Sequence, residues 1–65
     1  MNAPKVMIEA IRTVSKQNRL KAALLAEKTF YAHLKNNKLD GDFDDAECIS
    51  MAAEAAVSEI YYQFA

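Results

Sequence analysis

Pro4 and Gly41 are the single proline and single glycine of a 65-residue chain, and their positions point to a helical fold. Pro4 sits where a first helical turn would begin, which suits its fixed φ and missing N–H donor, with Asn2 or Ala3 before it as the cap region. No further Gly or Pro follows until Gly41, so residues 5–35 can be helical throughout. The cluster from Asn36 to Asp42 is the one strong turn signal. Beyond it, Asp44 or Asp45 can cap a last helix. The spacing Asp44-x-x-Glu47 is that of a capping box, with Asp in place of Ser or Thr.

Read at about 100° per residue, the last segment carries an apolar stripe of Ala46, Ile49, Ala53, Ala56, Val57, Ile60 and Phe64. A second apolar set, Cys48, Met51, Ala52, Ala55 and Tyr62, lies beside it. Mainly Glu47, Ser50, Glu54, Ser58 and Tyr61 are left to face water. A helix of this kind requires neighbours on two sides. A chain of 65 residues forms one domain at most and buries only about 60% of its unfolded surface, so an isolated core is marginal. One cysteine and one histidine supply neither an internal disulfide nor a zinc cluster. That leaves oligomerisation as the remedy and a reducing cytoplasm as the simplest compartment. The N-terminal segment lacks the uninterrupted apolar stretch of a signal peptide, and no run approaches the roughly 20 apolar residues of a membrane span.

Residues 5–35 can be read in two ways. Met7, Ile8, Ile11 and Val14 cluster on one side, and Leu20, Ala23, Leu24, Phe30, Tyr31 and Leu34 on nearly the opposite side. A break near residues 15–18 would explain the change of face and give a monomeric three-helix bundle. A weaker stripe nevertheless runs straight through, from Ile8 and Ile11 past Ser15 and Asn18 to Ala22, Leu25, Thr29 and Ala32. We therefore expect an all-α helical hairpin: a long helix over residues 5–35, a loop over 36–43 and a helix over 44–64. The long helix would measure about 46 Å and the last about 30 Å, leaving an overhang. A second copy would cover it in a dimeric four-helix bundle, through Met7, Ile8, Ile11, Val14, Leu25, Met51 and Ala52. The many alanines near residues 52–56 would permit close packing.

Charge is divided along the sequence. Residues 1–36 carry seven basic side chains against Glu9 and Glu27, and residues 37–65 carry Lys38 against seven acids, so +5 and −6 sum to the net −1 of the whole chain. Attraction between the halves of the hairpin accounts for this, each exposed pair adding tenths of a kcal/mol. A basic ridge of Lys5, Arg12, Lys16 and Arg19 could also dock an acidic protein or nucleic acid. Nucleic acid is the weaker reading, because the turn is followed by an acidic helix rather than a basic recognition helix.

The twelve residues from Asn36 to Glu47 resemble part of an EF-hand loop, with Gly41 in the sixth place and Glu47 in the twelfth. Asn36 stands first where Asp is usual, and Lys38 brings a positive charge to the third ligand position, so an Asp-rich turn and helix cap is the expectation. His33 reads as an exposed histidine and Cys48 as a small buried hydrophobe. No nucleophile has a surrounding motif, and we expect no enzyme, metal or cofactor.

The adjacent aromatics Tyr61, Tyr62 and Phe64 cannot all enter one core, since neighbouring residues differ by about 100°. With Lys16 and Arg19 they form the expected partner-binding patch, aromatic and arginine side chains being common anchors of protein contacts. The expectation is a homodimeric adaptor or inhibitor that occludes a regulatory partner protein, by analogy of size and composition with phage and prophage accessory proteins that alter host regulators. The alternatives are a nucleic-acid-binding regulator and a structural subunit of a larger assembly.

Overall fold

The computed structural model describes residues 4–64. Three α-helices run through them: α1 (Lys5–Arg12), α2 (Arg19–Asp40) and α3 (Asp45–Phe64), with a 3-10 turn at Lys16–Asn18 between the first two. The long helix expected over residues 5–35 is not formed, and neither is the overhang it would have left. The loop is also shorter than expected, because α2 continues to Asp40 and residues 36–40 are helical.

The break has a local and a tertiary cause. Thr13 and Val14 are β-branched, and Ser15 and Asn18 favour caps and turns over helix interiors. Ser15 adopts φ −57°, ψ 152°, which ends helical backbone. The chain then turns so that Met7, Ala10 and Val14 enter the core formed by α2 and α3. A straight helix would have left the first and second apolar clusters on different sides. Burying Met7 and Val14 contributes about 1.5–3 kcal/mol each, against about 0.5–1.5 kcal/mol for each helical hydrogen bond forgone. Several of those bonds are replaced. The amides of Thr13 and Val14 donate to the Ala10 and Ile11 carbonyls at 3.1 Å, and that of Asn18 to Ser15 at 2.9 Å.

Arg19 completes the junction. Its Nε donates to the Val14 carbonyl at 3.1 Å and its Nη2 to the Arg12 carbonyl at 3.2 Å. The end of a helix exposes unpaired carbonyls and partial negative charge, and a guanidinium answers both. At the other end of α1, Pro4 is the cap residue itself rather than the first helical residue, its carbonyl accepting from Met7 at 3.0 Å. Asn2 and Ala3, the expected cap region, lie outside the described residues.

Gly41 ends α2 in the left-handed conformation, with φ 75°. Asp44 opens α3, its Oδ1 accepting from the Glu47 amide at 2.8 Å as the capping-box spacing predicts. The short connection folds α3 back along α2. Asn37 fixes the register by donating from Nδ2 to the Cys48 carbonyl at 3.3 Å.

Every fourth residue is buried on both partners, Ala22, Ala26 and Phe30 on α2 and Cys48, Ala52, Ala56 and Ile60 on α3. These are the i±4 ridges of ridge-into-groove packing. Five of those seven positions carry Ala or Cys, so the two backbones approach closely, while Met7, Val14, Phe30 and Ile60 supply most of the bulk. Leu34, Ile49, Val57 and Phe64 pack partly buried around this core.

Candidate interaction surface

The choice of the small-residue ridge as the inner face of α2 exposes the larger one. Leu20, Leu24 and Tyr31, which the sequence groups with Phe30 in one apolar cluster, stand 73%, 59% and 52% exposed, while Phe30 is buried. Tyr31 and Phe30 form a T-shaped pair, ring centroids 5.3 Å apart and planes at 77°, so the Tyr31 ring is held against a core residue. Leu20, Leu24, Tyr31 and the half-buried Leu34 follow one line along α2, interrupted by Glu27. Beside that line Lys21, Lys28 and Lys35 recur at every seventh residue, all exposed. On α3, Glu47, Glu54 and Tyr61 recur at the same interval, also exposed. Each row keeps to one side of its helix, because seven residues make nearly two turns.

The residues expected at a dimer interface divide into two groups. Met7, Val14 and Ala52 lie in the core of the single chain at 5%, 5% and 0% exposure, because α1 folds onto α2 and α3 instead of projecting beyond them. The geometric reason for assigning them to a second copy is thereby removed. Ile11 and Leu25 are half-buried, and Ile8 and Met51 remain on the surface.

The expected partner patch also divides. Lys16 is exposed on the 3-10 turn, and Tyr61 and Tyr62 are exposed near the end of α3. Phe64 instead packs partly against the core, and the Arg19 guanidinium is committed to the end of α1. The antiparallel path of α2 and α3 does place the C-terminal end of α3 beside the end of α2 that begins at Arg19. The basic ridge is not continuous, since Lys5 and Arg12 belong to α1, Lys16 to the turn and Arg19 to α2.

Sequence reasoning missed Leu20, Leu24 and Tyr31 as surface residues because it ranked stripes by apolar bulk. The signal available was the matching of small residues, Ala22 and Ala26 with Ala52 and Ala56, at four-residue steps.

Asn36 to Asp40 belong to α2 and therefore cannot wrap a cation as the first part of an EF-hand loop does. Among the described residues no three His, Cys, Asp or Glu side chains are grouped to hold a metal ion. Cys48 is free and buried, its Sγ 3.9 Å from the Phe43 carbonyl oxygen, whereas His33 is exposed. No described helix is long and apolar enough to cross a membrane.

The chain matches no family model, no curated protein and no solved structure. Its chemistry must be read from its own surface. That surface offers large apolar side chains beside a row of lysines.

Proposed function

We propose that this chain is a non-enzymatic protein–protein interaction module, a homodimeric adaptor or inhibitor that covers a functional surface of a regulatory partner. The observation that carries this reading is the exposed line of Leu20, Leu24 and Tyr31, 73%, 59% and 52% accessible on a helix of 22 residues. Apolar side chains aligned on a rigid element supply the desolvated centre of an interface with little backbone left to order. Tyr61 and Tyr62, at 47% and 85% exposure, add aromatic area at the end of the neighbouring helix. Occlusion is the corresponding mechanism: a preformed helical face blocks the partner's own contacts. A reducing cytoplasm suits a chain with a lone thiol.

The basic side chains favour nucleic acid less, because a helix break divides their ridge and Arg19 is occupied. Affinity capture from source-cell lysate, with and without nuclease, tests the proposal. A stoichiometric protein should survive nuclease and be lost with Leu24→Asp, while circular dichroism of that variant stays helical. Recovery of nuclease-sensitive material alone would overturn the proposal.

A further inference from the structure

We infer that the partner segment covering the Leu20–Leu24–Tyr31 face is an α-helix with an acidic flank, docked along α2 as the second strand of a short coiled coil. The inference rests on the proposed function and names the chemistry of the partner at that same surface. Leu20, Leu24, Glu27, Tyr31 and Leu34 follow one another at alternating steps of four and three residues, the spacing of the a and d positions of a heptad repeat. With Leu24 and Tyr31 at a, and Leu20, Glu27 and Leu34 at d, the rows on either side are fixed. Lys21, Lys28 and Lys35 take the e positions, and Ala23, Phe30 and Asn37 take the g positions. The fold treats these two flanks differently. Phe30 is buried and Ala23 and Asn37 are half-buried, so the g flank is turned into the hairpin. The e flank is open, all three lysines being exposed. No acid stands three or four places from any of them along α2, so their charge is unanswered on their own helix.

Charge selects the occupant. In a two-stranded coiled coil the e row faces the g row of a parallel partner or the e row of an antiparallel one. The α2 helix of a second copy offers lysine in the antiparallel case and the inward-turned Ala23, Phe30 and Asn37 in the parallel case. Neither answers the lysines. A helix of another protein with apolar residues on its seam and Glu or Asp on the facing row answers them in either direction. Glu27 sets a polar position in the middle of the seam, where the facing helix must offer a polar or basic side chain, and such a position fixes register. The contact from Leu20 to Leu34 spans about 21 Å. α2 enters it already helical, so only the partner strand has to be ordered.

Two synthetic three-heptad peptides, titrated with the purified full chain and read by fluorescence anisotropy, test this. Both carry leucine at a and d except for one central asparagine to meet Glu27, and they differ only in having glutamate or lysine at every e and g position. Like charges along each flank keep either peptide from pairing with itself. The glutamate peptide should bind at least tenfold tighter than the lysine peptide, the gap narrowing as salt is raised. The triple variant Lys21→Glu, Lys28→Glu and Lys35→Glu, helical by circular dichroism, should reverse the order. Equal affinities, an order unchanged by the triple variant, or no binding of either peptide would overturn the inference. Its failure is separable from failure of the proposed function. A nuclease-resistant protein captured from lysate as well by the triple variant as by the wild type, yet lost with Leu24→Asp, would leave the interaction module standing and refute the acidic flank.

Discussion

A single dihedral angle, rather than any shortage of room, reserves position 41 for glycine. A Cβ built there would meet nothing within 4 Å, yet φ is 75°, a region where side-chain-bearing residues are strained by about 1–2 kcal/mol. Gly41→Ala should therefore lower stability by about 1 kcal/mol, seen as a lower urea midpoint with an unchanged slope. An unchanged midpoint would show that the α2 end relaxes into another turn at no cost. Asp44, three residues on, works by the opposite means: it contributes a side-chain oxygen to the Glu47 amide and asks nothing unusual of its backbone. The turn is thus specified twice, once by a residue lacking a side chain and once by a residue using one. Both features were legible in the sequence because each depends on local chemistry alone.

Between elements, legibility fell off. The apolar side of α3 was readable, since Ala53, Ala56 and Ile60 are buried as their spacing predicts. The side of α2 that meets it was not, because bulk on Leu20, Leu24 and Tyr31 outweighs two alanines in any count of apolar residues. Close approach depends on the shapes of two surfaces together, which neither helix states alone. The break after Arg12 was visible as a change of face, but a weaker stripe ran across it. The decision fell to tertiary burial of Met7 and Val14. α1 itself, with eight residues, is too short to hold its helix without the core. It should therefore dock and undock as a unit governed by its apolar contacts and by Arg19. Replacing Arg19 with Met keeps an unbranched stem but removes both donors to the end of α1, a loss of about 1 kcal/mol. Amide exchange in residues 7–12 should accelerate about fivefold, with α3 less affected. Equal acceleration in both helices would mean that α1 is inseparable from the rest.

The whole molecule is elongated, 38 × 18 × 16 Å, with one core made largely from small side chains. At this size the stability available to one chain is modest, and the exposed α2 face offers further burial only if something covers it. Cys48 gives a view of how the assembly loosens. Being 1% exposed, it can react with an added thiol reagent only after the closed end of the α2–α3 hairpin parts, since the lone thiol lies one turn into α3. Arg19→Met should leave the labelling rate nearly unchanged, whereas Gly41→Ala should raise it. If instead both variants labelled faster in equal measure, the protein would open in one step. The sulfur buried for its bulk is in this sense a clock inside the fold, and its ticking distinguishes a chain that sheds its first helix from one that comes apart entirely.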